Sequence, residues 1–355
     1  MDKRDTGHTH GMAARLLALA ALACALAGCS TRDEPAQPRL AALGILPGSV
    51  TVSGIAGGGY MAVQFHVAYS QVVHGAGIVA AGPYYCAEDS MRLALGRCMK
   101  GDEAIPTDDL VGVTSRLALE EAIDPIANLA DDRVWIFHGA ADDVIAKPVT
   151  DSLEAYYALL VEPGNIKRIE HPTAGHTFPT ASASAGACAA SATPYIGMCG
   201  LDGARALLEH LYGPLHAGRA PAKGELSEFD QRPYAGAAAS ESLAERGWLF
   251  VPSQCRSRES GKCRLHVVFH GCRQGDSFVR DTFVRKAGYL EVAAANGIVL
   301  LFPQIEAGYQ PLNPNGCWDW WGYEGDWYAV KGGPQMLAVR AMVGDLLGEP
   351  APQAR

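Results

Sequence analysis

Val52-Ser53-Gly54-Ile55-Ala56-Gly57-Gly58-Gly59-Tyr60-Met61 is the stretch on which the reading of this chain turns. An apolar run, Ser49 to Val52, enters it, three consecutive glycines turn it, and Tyr60-Met61-Ala62-Val63-Gln64-Phe65 leaves with helical character. Strand, sharp turn and helix are the setting of a nucleophile elbow, whose pattern Gly-x-Ser-x-Gly lifts a serine oxygen to the tip of a strained turn. The window Gly54-Ile55-Ala56-Gly57-Gly58 fits at every position except the central one, where Ala56 stands. Alanine has no atom that can attack a carbonyl. The elbow is built but unarmed.

Outward from it, short apolar units bounded by glycine follow one another. Met61 to Val73 reads as a helix and Ala76 to Gly82 as a buried strand, the alternation expected of α/β layers. A strand at Arg133–Phe137 runs into His138-Gly139-Ala140-Ala141-Asp142, and in open parallel sheets ligand-facing groups gather just past the carboxyl ends of strands. Asp142 stands there, although an aspartate after a strand more often caps a turn. Residues 151–160 make an amphipathic helix, 166–170 a strand, and the loop Thr173-Ala174-Gly175-His176-Thr177-Phe178-Pro179 carries His176. Elbow, then aspartate, then histidine is the chain order of α/β-hydrolase triads.

Residues 213–245 lose periodicity and read as a connection between two halves. The second half holds strands at 247–252, 264–269 and 298–303, an aromatic loop at 316–323 and a final helix at 333–347. The strand at 264–269 ends in His270-Gly271-Cys272-Arg273-Gln274, a form similar to the oxyanion-hole segment of lipases. There that segment precedes the elbow. Here it follows.

Five motifs in this order resemble the circularly permuted poly(3-hydroxybutyrate) depolymerases: Ser53-Gly54-Ile55-x-x-Gly58-Gly59-Tyr60-Met61-Ala62-Val63-Gln64, His138-Gly139-x-x-Asp142, Ala174-Gly175-His176-x-Phe178-Pro179, His270-Gly271-Cys272-x-Gln274 and Gly316-Cys317-Trp318-Asp319-Trp320-Trp321-Gly322-Tyr323. The resemblance covers roughly residues 44 to 347. It implies a serine esterase of circularly permuted α/β-hydrolase fold, with a central, mostly parallel sheet flanked by helices and no cofactor. By the same resemblance Asp142 orients His176, His176 is the general base, and the backbone N–H groups of Gly57 and Cys272 form the oxyanion hole. Trp320, Trp321 and Trp327 are then expected to help line an ester-polymer groove, where rigid aromatic faces bury aliphatic chain at little entropic cost. The nucleophile position is Ala56, where the chain departs from the family. Deleting a nucleophile costs on the order of 10⁶ in turnover. Two functions follow: an impaired hydrolase of polyesters or short oligoesters, or a lipoprotein that binds such esters without cutting them.

Composition bounds the rest. A net charge of −9 with no Lys/Arg-rich block argues against nucleic acid as a partner, and 48% hydrophobic with 19% charged residues reads as globular. Residues 1–29 read as a signal peptide whose end, Leu26-Ala27-Gly28-Cys29, resembles a bacterial lipobox. That implies a lipid on Cys29 and a membrane-anchored protein in the periplasm or at the cell surface. Residues 30–43 read as a flexible tether, 44–349 as one domain and 350–355 as a tail. Eight further cysteines in an exported chain point to disulfides, and proximity favours Cys86–Cys98, Cys188–Cys199 and Cys255–Cys263, leaving Cys272–Cys317. No Cys-x-x-Cys pair or matching histidine spacing suggests a metal.

Overall fold

The computed structural model describes residues 39–217, 221–238, 240–256 and 262–350; the expected signal, Cys29 and most of the tether lie outside them. The core is an eight-stranded sheet. Its strands are β1 (Ile45–Ile55), β2 (Val73–Val79), β3 (Arg133–Gly139), β4 (Ile166–His171), β5 (Gly224–Asp230), β6 (Arg246–Pro252), β7 (Cys263–Phe269) and β8 (Ile298–Phe302). They lie in the order β4-β3-β2-β1-β7-β8-β6-β5. The six from β4 to β8 run parallel; β6 and β5 add an antiparallel edge. Strands buried on both faces are dominated by small and apolar residues, which is why Ile298–Phe302 reads as an unbroken hydrophobic run.

Helices cover both faces: α1 (Gly57–Ala68), α2 (Thr107–Leu119), α3 (Lys147–Ala158), α4 (Gly203–Tyr212), α5 (Tyr289–Asn296) and α6 (Pro334–Leu347). A Cβ on Gly77 would meet Leu207 of α4, and one on Gly54 would meet the carbonyl of Gly58 in α1, so α4 and α1 lie on opposite faces. On the α4 face a buried polar chain ties β1 to β7. His266 holds Thr51 Oγ1 at 2.7 Å through Nδ1 and Ser53 Oγ at 2.8 Å through Nε2, and Ser53 continues to the Tyr289 hydroxyl at 2.7 Å. Burial pushes His266 down to about 3, so its imidazole is neutral at any ordinary pH.

Three boundaries differ from those read in the sequence. The elbow helix starts at Gly57 and ends at Ala68, and Val73, expected inside it, opens β2. Residues 72–79 are a short apolar run, a pattern that fits buried strand and buried helix equally. The helix expected at 151–160 begins four residues earlier, because Pro148 suits a first turn, where no N–H partner is required. The region 213–245, read as a connection between two halves, holds edge strand β5 and a short helix, Arg232–Ala238, among its described residues. The strand Gly-Glu-Leu-Ser-Glu-Phe-Asp is charged because it is an edge, where charges discourage further pairing.

All four expected disulfides are formed: Cys86–Cys98, Cys188–Cys199, Cys255–Cys263 and Cys272–Cys317. Such a set belongs to an oxidising compartment.

Candidate active site

Parallel pairing decides where the loops go. Because β1, β2, β3, β4 and β7 run together, the segments leaving their carboxyl ends emerge on one rim, with Gly54 level with Phe269, Ile55 with Val79, Val79 with Phe137 and Gly139 with His171. That rim carries Ala56, Asp142, His176 and Cys272, from distant parts of the chain.

Ala56 caps α1 at φ 53° and ψ −122°, a region an L-residue enters only when its surroundings hold it there. Its N–H donates to Val79 O at 3.0 Å and its carbonyl accepts from Tyr60 at 2.9 Å. The turn is tight enough to need glycine on either side. A Cβ on Gly54 would lie 2.0 Å from Gly58 O, and one on Gly58 would lie 2.3 Å from His270 O. The start of α1 therefore packs directly on the end of β7.

Asp142 follows β3 with its side chain wholly buried. Oδ1 accepts from the N–H groups of Val144 (2.9 Å) and Ile145 (2.8 Å), which leaves Oδ2 to take Nδ1–H of His176 at 2.9 Å. With Nδ1 donating, Nε2 of His176 carries the lone pair, the tautomer a general base needs. Ser191, on the Cys188–Cys199 loop, accepts the His176 N–H at 3.0 Å and so fixes the loop. The histidine noted beside Asp142, His138, is buried with Nε2 on Ile145 O at 3.1 Å, a structural role.

The fourth segment completes the rim. A Cβ on Gly57 would sit 3.0 Å from Cys272 Sγ, so the two backbones are close, and neither N–H has a partner among the described residues. The Cys272–Cys317 bridge then joins this turn to the tryptophan loop. That loop winds around Asp319, whose Oδ1 accepts from Trp321, Gly322 and Tyr323 and whose Oδ2 accepts from Glu324. Burial nevertheless raises its pKa to about 6, against the pull of those four N–H groups. Trp320 lies flat on Tyr60 with centroids 4.1 Å apart. Its Nε1–H is buried without a partner, 3.5 Å from where a Gly57 Cβ would be.

Ala56, Gly57, His176, Cys272, Trp320 and Trp321 line one cavity of about 380 Å³. Trp327 does not. It stands 64% exposed on the surface, and of the three tryptophans expected in a groove only Trp320 and Trp321 line this cavity. The opposite wall was missed in the sequence: Met91, Leu95 and Met99 line it from the Cys86–Cys98 loop, with Val144 and Ile145 beside the aspartate. Among the described residues no cluster of histidine, cysteine or carboxylate could hold a metal ion.

No protein-family model matches the chain. A polyhydroxybutyrate depolymerase of Talaromyces funiculosus is 34% identical over 323 residues, covering 87% of this chain and 93% of that one. The chain belongs to the poly(3-hydroxybutyrate) depolymerase family. A poly(3-hydroxybutyrate) depolymerase of Delftia acidovorans is 41% identical over 335 residues, 94% of this chain. The match spans only 66% of that relative's length. Among solved structures, a serine-to-alanine variant of a PHB depolymerase complexed with an R3HB trimer superposes with a TM-score of 0.81 at 32% identity. The PHB depolymerase from Penicillium funiculosum gives 0.80 at 32%, and each match covers 88% of this chain and 99% of the other. In this chain the tight elbow at Ala56, the Asp142–His176 pair and the N–H groups of Gly57 and Cys272 gather on one rim of the sheet.

Proposed function

We propose that this depolymerase-family chain carries a carboxylic ester hydrolase site for polyesters or short hydroxyalkanoate oligoesters, held almost silent by Ala56. The observation that carries the reading is the Asp142–His176 hydrogen bond of 2.9 Å, with His176 facing the same cavity as Ala56. In such a site a hydroxyl at position 56 would lose its proton to His176 Nε2 as its oxygen attacked the ester carbonyl. The N–H groups of Gly57 and Cys272 would hold the oxyanion, and His176 would return the proton to the leaving alcohol. Water activated by the same histidine would release the acyl group. Trp320 would offer its free indole N–H to an ester oxygen. Without the hydroxyl, ~10³–10⁴-fold catalysis over water is the most that binding and the oxyanion hole sustain. The permuted order would be an ordinary hydrolase sheet with its chain opened just ahead of the elbow strand.

A second reading, ester binding without turnover, is favoured by one observation: the tryptophan wall is fully built although the nucleophile is absent. Hydrolysis of p-nitrophenyl butyrate and of polymer by the chain with Ala56, by A56S and by A56S/H176A separates the two. A56S should gain on the order of 10³ or more in turnover, since the triad acts as a unit, and H176A should remove the gain. A folded A56S with no gain on either substrate leaves the binding reading standing.

A further inference from the structure

Among the described residues, Arg273 is, apart from His176, the single ionisable group of positive charge on the cavity wall, and no carboxylate lines that wall. The rest is apolar side chains, aromatic rings, asparagine and backbone. Other arginines near the sheet are engaged: Arg97 pairs with Glu88, and Arg168 with Asp151 and Glu154. Arg273 is exposed, and its guanidinium has no hydrogen bond or ion pair among the described residues.

Its backbone is unusual as well. Arg273 sits at φ 59°, in the left-handed region that favours glycine. Its N–H donates to Asn315 O at 2.7 Å, and the neighbouring Cys272–Cys317 bridge ties the same two loops. The conformation plants a five-donor fork directly beside Cys272, one of the two unpartnered N–H groups at the elbow. A glycine would relax the turn. The position holds a cation instead.

The chemistry of the ligand explains why a cation is useful there. A hydroxyalkanoate oligoester is uncharged along its length but ends in a carboxylate, and each hydrolysis creates another. A chain of net charge −9 repels such anions overall, so a local guanidinium must counter that field. Guanidinium and carboxylate match in two parallel hydrogen bonds. We propose that Arg273 recognises the free carboxylate of a hydroxyalkanoate oligoester, so that the site takes short anionic oligomers in preference to uncharged esters of equal length. This rests on the ester-site reading above.

The chain with Ala56 is suited to the test, because it lets ligand bind without being consumed. Isothermal titration at low salt would compare the 3-hydroxybutyrate trimer as free acid with its methyl ester. The acid should bind roughly three- to tenfold more tightly, the range of a partly exposed charged pair. The gap should narrow as salt screens it. R273Q should bring the acid down to the ester's affinity, and R273K, which keeps the charge but not the fork, should retain part of the gap. Equal affinities in the chain with Arg273, or a gap that survives in R273Q, would overturn the assignment while leaving the ester site in place. If neither trimer binds, the ester-site reading itself falls, and the role of Arg273 with it.

Discussion

His266 and His270 are buried without charge, one within β7 and one just past its end, with pKa values pushed down by burial to about 3 and about 4. In the unfolded chain each titrates near 6.5. Below that pH the unfolded state takes up protons that the folded state refuses. The stability these two residues leave intact is therefore full above pH ~6.5 and lost as pH falls towards 4, at up to about 1.4 kcal/mol per unit for each. Asp319 acts in the opposite sense. Its folded pKa of about 6 favours the folded state at low pH, and that contribution fades as pH rises from the normal carboxylate range through 6. One carboxylate set against two histidines leaves a net loss on acidification. Urea midpoints at pH 7.5, 5.5 and 4.5 should fall in that order, and a flat profile would mean the imidazoles gain protons without unfolding. At this scale the sequence was partly readable: Asp142 and His176 were marked by position after a strand and in a constrained loop. The emptiness of Trp320 Nε1 was not, because an unpartnered donor is a property of the assembled cavity.

Among the elements, α1 matters most, because its first turn touches two strands at once. A methyl group at Gly58 would lie 2.3 Å from His270 O and 2.4 Å from Phe269 O, both backbone atoms that cannot rotate away. G58A should cost about 1–3 kcal/mol, the usual cost of overpacking, and should displace Gly57 from Cys272. Chemical denaturation reads the first effect, and lost activity of the A56S background beyond the loss in stability reads the second. Wild-type stability in G58A would mean that α1 can shift at no expense. The same tightness made the elbow legible, since three glycines in a row after an apolar run admit few other structures. Strand β5 was not legible, because its edge position calls for the polar residues that otherwise signal a loop. The wall at Met91–Met99 was hidden for another reason. Its two helices, Met91–Leu95 and Arg97–Lys100, are too short to show a period and are held by the disulfide that closes their loop.

For the molecule as a whole, three bridges close loops between cysteines 8 to 12 residues apart, and the fourth spans 45. By chain entropy the longest is worth about 4 kcal/mol, and it alone couples two walls of the cavity. The sheet itself has a similar asymmetry. From β1 to β4 each strand pairs with the next in sequence, but the other neighbour of β1 is β7, more than half the chain away. Order of assembly follows from that. As the chain emerges, β1 to β4 can zip while the far edge of β1 stays bare, and only after β7 is made can Cys272 reach Gly57. Non-local parallel pairing is slow. Pulse-labelled hydrogen exchange during refolding should therefore find β2 and β3 amides protected before those of β7, with the ester site the last part to form. Simultaneous protection would show that the halves condense together. Until that late step the exposed edge of β1 is the stretch on which an unfinished molecule would pair with its neighbour.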